Sequence, residues 1–273
     1  MKLQYLGTAA AEAMPALFCE CENCKKARAL GGRNIRTRSQ AIIDDAILLD
    51  FPCDTYFHSI ANNIDLSKIK HLFITHSHQD HFYSDDLKCL YYGFSKAPEN
   101  YVLTVYGSDE IRNEVEAIAN GTDRLEYKKM EPYKPFKVGE YTVTALKAVH
   151  GTANPYIYLI EKGGKAMLYA HDTDFFSDET WDYLIKAKPK LNFVSLDCTN
   201  CTLPHGDFYG HMGIDENVKC KAKLLELGLI DQNTLVVVNH FSHNGTNSVY
   251  DELVPIAEKH GMQVSYDGMV VEF

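Results

Sequence analysis

Apolar and polar positions alternate over short stretches along the whole chain, and the apolar stretches are rich in β-branched and aromatic residues. Such patterning marks strands with at least one buried face. It predicts strands over 3–7, 40–51, 71–76, 101–107, 141–149, 156–161, 165–172, 192–197, 234–240 and 263–273. Gly163-Gly164 separates two of these runs and suits a tight hairpin, because glycine takes positive φ without steric cost. Helical periodicity appears over 84–92, 108–119, 216–228 and 247–260, with Ser108 and Asp215 placed to cap free N–H groups at helix starts. Many strands with a few interspersed helices predict an α/β (α+β) protein, two sheets packed face to face with helices outside. No stretch has the Gly, Pro or Ser content of a linker, so residues 1–273 read as one domain.

Composition narrows the partners. The chain has 273 residues, of which 45% are hydrophobic and 23% charged, enough apolar material for a sizeable core. Its formal charge is −10, and no cationic run exceeds Lys25-Lys26 or Lys128-Lys129. A long phosphate backbone would find no basic footprint here, so nucleic acid is disfavoured and a small-molecule substrate favoured. No basic segment followed by a long apolar one opens the chain, and no run approaches bilayer-spanning length, so the expectation is a cytoplasmic protein with no membrane partner. A homodimer is left open. In a reducing compartment the eight cysteines point to metal rather than to disulfides where they cluster, as Cys19, Cys21 and Cys24 do.

The chemistry concentrates at strand ends. Ile74-Thr-His-Ser-His-Gln-Asp-His81 places His76, His78, Asp80 and His81 within six residues, directly after an apolar run. Imidazole and carboxylate are ligands that Zn, Mn or Fe accept, and a turn leaving a strand can aim alternate side chains at two neighbouring ions. His150, Asp172 and His240 each end a later strand run. A lone strand-end His or Asp is usually a hydrogen-bonded turn residue, and it is the ensemble of seven that points to two coordination spheres. Cys19, Cys21 and Cys24, in CxCxxC spacing, are soft thiolates that could hold a tetrahedral zinc with one further ligand, for which His243 is the best candidate. Cys198 and Cys201 have redox-motif spacing without a following helix start and read as incidental, while Cys53, Cys89 and Cys220 read as small buried side chains.

The HxHxDH cluster, followed in order by a strand-end His, Asp and His, resembles the metallo-β-lactamase superfamily from Gly7-Thr8 to Asp267-Gly268-Met269. The resemblance implies a four-layer αββα sandwich, with His76, His78 and His150 on one divalent ion, Asp80, His81 and His240 on a second, and Asp172 bridging them. Zn and Mn are the expected metals. His81, where true β-lactamases have Gly, sets the chain apart from them. The pairing of CECENC with HFSH resembles the PhnP-type phosphodiesterases and implies a structural zinc on Cys19, Cys21, Cys24 and His243. The same resemblance implies general-acid or phosphate contact for His211, and an orienting carboxylate at Asp50. His171, by strand alternation, faces away from Asp172. The chain departs from the pattern in its first loop, GTAAAEAMP, and over 197–215, where His205 and Asp207 lie near His211 in sequence.

The expected activity is metal-dependent hydrolysis of a small linear or cyclic phosphodiester, catalysed through Asp80 and His211. Two ions about 3.5–4 Å apart can share a hydroxide at neutral pH and neutralise a phosphoryl oxygen. The alternatives are a tRNA 3′-processing nuclease, which would have a substrate-gripping arm, and a non-hydrolytic protein of the pyrroloquinoline-quinone B type. A glyoxalase-type thioester hydrolase and a flavodiiron-type redox protein are disfavoured by the strand at the C-terminus and by His78 respectively.

Overall fold

The computed structural model describes residues 1–204 and 209–273; the expectations for His205 and Asp207 lie outside the described residues. The first half contains β1 (Lys2–Gly7), α1 (Glu22–Leu30), β2 (Gln40–Ile43), β3 (Ile47–Leu49), α2 (Thr55–Ala61), β4 (His71–Phe73), β5 (Leu103–Gly107), α3 (Arg112–Ala119) and β6 (Leu125–Lys129). The second contains β7 (Phe136–Val138), β8 (Tyr141–Lys147), β9 (Tyr156–Lys162), β10 (Lys165–Ala170), α4 (Asp178–Ala187), β11 (Phe193–Asp197), α5 (Ile214–Glu226), β12 (Leu235–Asn239), α6 (Tyr250–Glu258), β13 (Gln263–Val264) and β14 (Val270–Glu272). They form two seven-stranded sheets, ordered β14-β1-β2-β3-β4-β5-β6 and β13-β12-β11-β10-β9-β8-β7.

Strand alternation explains the layering. Phe193, Met167, Tyr169 and Val237 turn inward to meet Leu3, Tyr5, Ile43 and Phe73 of the other sheet. Their neighbours Val194, Leu196, Leu168 and Val238 turn outward and are covered by Trp181 and Leu184 of α4, Leu224 of α5 and Leu253 of α6. On the first sheet, Ile42, Leu48 and Leu72 turn outward against Val115 and Ile118 of α3. Both faces of each central strand are therefore apolar, and each fully buried aliphatic or aromatic side chain contributes about 1.5–3 kcal/mol. The result is the expected αββα sandwich. Among the described residues no helix is long and apolar enough to cross a membrane.

Several elements differ from the expectation. The run 40–51 is a hairpin, β2 and β3, reversed where Asp44 and Asp45 take φ of 49° and 54°; aspartate is among the few residues that tolerate this conformation. The run 263–273 divides between the sheets, β13 joining one and β14 the other. Residues 84–90 form a 3-10 rather than an α-helix. Ser108 does not cap α3, which starts at Arg112. Helix α5 begins at Ile214, where the Glu216 side chain accepts the Gly213 N–H at 3.1 Å. Helices α1, α2 and α4 and strands β6 and β7 are additional. Helix α4 did carry a signal, Ser177 with its side chain accepting the Thr180 N–H.

The parallel arrangement of β3, β4 and β5 sends their C-terminal ends to one edge of the first sheet. Parallel β10, β11 and β12 do the same in the second. Those ends carry the polar residues of interest.

Candidate metal centre

Asp50 follows β3, His76 follows β4, His150 follows β8, Asp172 follows β10, Asp197 ends β11 and His240 follows β12. The loop after β4 folds back on itself, the N–H groups of His81 and Phe82 both donating to the His78 carbonyl. That return brings Asp80 and His81 beside His76. Asp50, Asp172 and His240 have φ of 64°, 51° and 66°. Left-handed non-glycine residues cost backbone energy and are retained where the surroundings fix them, as here after three of the strands.

All seven expected residues converge. His78 Nδ1 lies 3.0 Å from His76 Nε2 and 3.1 Å from His150 Nε2. His81 Nε2 lies 3.2 Å from His240 Nε2 and 3.3 Å from Asp80 Oδ2. Asp172 stands between the groups, Oδ2 at 2.8 Å from both His81 Nε2 and His240 Nε2, Oδ1 at 3.5 Å from His150 Nε2.

The hydrogen bonds behind these rings decide what faces forward. His81 Nδ1 donates to Asp50 Oδ2 at 2.7 Å, since a carboxylate only accepts. His150 Nδ1 donates to the Gly210 carbonyl at 3.2 Å. Thr75 Oγ1 donates to Asp50 Oδ1 and so accepts from His76 Nδ1 at 3.0 Å. Thr199 Oγ1 donates to Asp197 Oδ2 and accepts from His240 Nδ1 at 2.8 Å. In its neutral form each of these four imidazoles therefore turns an Nε2 lone pair toward its neighbours. Lone pairs facing one another at about 3 Å repel, and Asp172 Oδ2, although 2.8 Å from two ring nitrogens, is buried without a hydrogen bond. A cation in each group would turn this repulsion into attraction, and the backing bonds are of the kind that orient metal-bound imidazoles. The donor sets fit the expected ions, His76, His78 and His150 in one group, Asp80, His81 and His240 in the other.

The electrostatics agree. Burial disfavours the charged form of His81, yet the carboxylates of Asp172, Asp80 and Asp50 overcome it and hold the ring well above the ordinary histidine pKa. That environment calls for positive charge. His76 lies well below the ordinary value, through burial and then the nearby His81.

Asp197, absent from the sequence expectations, organises the second sheet's contribution. Its Oδ1 accepts the N–H groups of Thr199 and Met212, both at 3.0 Å. Its Oδ2 accepts the Asp172 N–H at 2.9 Å and faces His211 Nδ1 at 3.2 Å. The signal existed, an Asp closing the apolar run FVSL as Asp50 closes ILL. His211 is pushed up to about 9: burial opposes the charged ring, and the Asp197 carboxylate outweighs it. With Nδ1 spent on Asp197 and Thr199, Nε2 is left for the cavity. That cavity, about 220 Å³, is lined by Ala10, Ala11 and Glu12, by Ser242 and Asn244, and by the clusters themselves. His171 faces away as expected, its Nε2 2.7 Å from Ser195 Oγ between the sheets.

A second cluster joins Cys19, Cys21, Cys24 and His243. His243 Nδ1 lies 3.5 Å from Cys19 Sγ and 3.4 Å from Cys21 Sγ. The Cys21 and Cys24 N–H groups point at Cys19 Sγ and Cys21 Sγ, each at 3.5 Å, at the start of α1. The Cys21 N–H favours the thiolate of Cys19, whose pKa it lowers. Cys24 is pushed up to about 12 by burial; a metal would deprotonate it. Cys198, Cys201 and Cys220 are buried, but Cys53 and Cys89 are exposed, contrary to expectation: Cys53 falls in the turn before α2, and Cys89 on the outer side of the 3-10 segment.

A family model described as a beta-lactamase superfamily domain matches residues 51–226. A solved diphosphatase of the PhnP family superposes with a TM-score of 0.74 at 19% identity, covering 100% of this chain and 96% of that one. Zn2+-bound PqqB from Methylobacterium extorquens gives 0.78 at 19%, covering 100% of both chains. Human short-form tRNase Z gives 0.65 at 16%, covering 100% of this chain and 99% of that one. At these identities the likeness is one of fold. An octanoyltransferase of Porphyromonas gingivalis is 30% identical over an alignment of 163 residues that covers 55% of this chain and under a third, 31%, of that relative.

Proposed function

This chain belongs to the metallo-β-lactamase superfamily, and from that membership we propose that it is a metal-dependent phosphodiesterase acting on a small linear or cyclic phosphodiester. The observation that carries the reading is the pair of lone-pair clusters joined by Asp172 and opening on a cavity of about 220 Å³. His76, His78 and His150 would hold one divalent cation and Asp80, His81 and His240 another. Zn or Mn there would supply a water activated near neutral pH and would neutralise charge on the phosphoryl oxygens.

The chain's own residues do the remainder. Asp50 and Thr75 fix the His81 and His76 rings, and Thr199 fixes His240, so that no reorganisation is needed as charge develops. Asp197 favours a proton on His211, whose Nε2 would protonate the departing alkoxide. The size of the cavity favours a small substrate over RNA. The Cys19, Cys21, Cys24 and His243 cluster would hold a structural zinc that ties the first loop to the segment after β12, and its free thiols suit the cytoplasm as place of work.

The test is hydrolysis of bis(p-nitrophenyl) phosphate, a ribose cyclic phosphate, pre-tRNA and a thioester by protein loaded with Mn or Zn. Turnover of the two small diesters, lost in Asp80→Ala, supports the reading. Cleavage of pre-tRNA or the thioester alone, or full turnover by Asp80→Ala, contradicts it.

A further inference from the structure

Glu12 is the one charged side chain of the cavity, among the described residues lining it, that belongs to neither candidate metal cluster and does not sit on Asp197. No Lys or Arg lines the cavity among those residues. The loop that carries Glu12 is clamped to the segment after β12: Ala10 donates to the Phe241 carbonyl and Phe241 to the Thr8 carbonyl, each at 3.0 Å. Glu12 Oε1 accepts from Asn244 Nδ2 at 3.1 Å, and Ser242 Oγ stands 3.5 Å from each carboxylate oxygen. Ser242 has a single hydroxyl proton and can serve only one of them. A carboxylate offers about four lone-pair sites, so the fixed Glu12 retains acceptor capacity within the cavity.

From this placement we infer that Glu12 selects the substrate by the arm beyond its scissile phosphate, accepting a hydrogen bond from a hydroxyl or ammonium group there and repelling a second anionic group. The inference rests on the phosphodiester reading and makes it narrower. A diester whose other end is also phosphorylated would bring that charge against Glu12 with no Lys or Arg among the described lining residues to receive it. An arm ending in a sugar hydroxyl or an amine would meet an acceptor-only group. Like charges inside a partly desolvated cavity cost enough to change affinity about tenfold or more.

A matched set tests this: ribose 1,2-cyclic phosphate, its 5-amino-5-deoxy analogue and its 5-phosphate, which differ only at the distal group. With the Mn-loaded protein, kcat/KM for the hydroxyl and amino compounds should exceed that for the 5-phosphate about tenfold or more, mainly through KM. Glu12→Gln, which keeps size and removes charge, should cut that preference about tenfold by improving the 5-phosphate. Calorimetric titration of non-hydrolysable phosphonate analogues into both proteins should show the same contrast in Kd. A preference for the 5-phosphate in the unsubstituted protein, or a preference unchanged by Glu12→Gln, overturns the inference. Wild-type turnover of bis(p-nitrophenyl) phosphate reports separately on the phosphodiester reading; if it is absent, that reading fails, while the binding contrast still decides the role of Glu12.

Discussion

The two candidate metal clusters use different ligands in different settings. At the strand ends, each Nε2 is aimed by a bond to its own Nδ1, from Asp50, Thr75, Thr199 or Gly210, and the group opens on a cavity. The Cys19, Cys21, Cys24 and His243 cluster supplies four protein donors, enough to close a tetrahedron, and lines no part of that cavity. A closed sphere holds structure, whereas a sphere with an open position does chemistry. The difference also shows in what supports each. The first rests on side-chain carboxylates and hydroxyls fixed by two sheets, the second on N–H groups at the start of α1.

That contrast breaks first at Asp80. Asp80→Ala removes the carboxylate from the second strand-end group and should lower kcat on bis(p-nitrophenyl) phosphate about a thousandfold, some 4 kcal/mol of transition-state stabilisation; steady-state assays on metal-saturated protein measure it. His211→Ala should cost about a hundredfold on a ribose cyclic phosphate, whose alkoxide must be protonated, but much less on bis(p-nitrophenyl) phosphate, whose p-nitrophenolate leaves unaided. Equal losses on both would remove the acid from His211. Asp50→Asn keeps the size of the group behind His81 and should weaken Mn or Zn binding about ten- to a hundredfold, read by competition with a chelator. Smallest in activity is Cys21→Ser, which should release one zinc per chain and lower Tm on the order of 5–10 °C, with turnover retained well below the new Tm. A large loss of kcat at low temperature would erase the distinction between the clusters.

Much of this was legible in the sequence because coordination chemistry needs particular side chains at particular spacings. His76 to His81 announce themselves within one turn, and His150, Asp172 and His240 each close an apolar run. Asp197 closes an apolar run as Asp50 does, but its work is hydrogen bonding to Asp172, Thr199, Met212 and His211, for which no spacing rule singles a residue out. The layers were legible from strand-like runs, but the fate of 263–273 was not. Its residues divide between two sheets around Gly268, at φ 90°, a choice made by partners distant in sequence. Helix α1 was missed because a cysteine caps it, Cys21 accepting from Cys24, which propensity does not register. Residues 84–92 read as helical by period, yet Ser84–Leu90 forms a 3-10 helix that ends at Tyr91.

The central claim is that the strand-end residues hold two cations side by side. Anomalous diffraction from crystals of the zinc-loaded protein tests it most directly. The account predicts one peak among His76, His78 and His150, and another among Asp80, His81 and His240, with Asp172 touching both. Strong signal at the cysteine cluster with none at the strand ends, under saturating zinc, would contradict it.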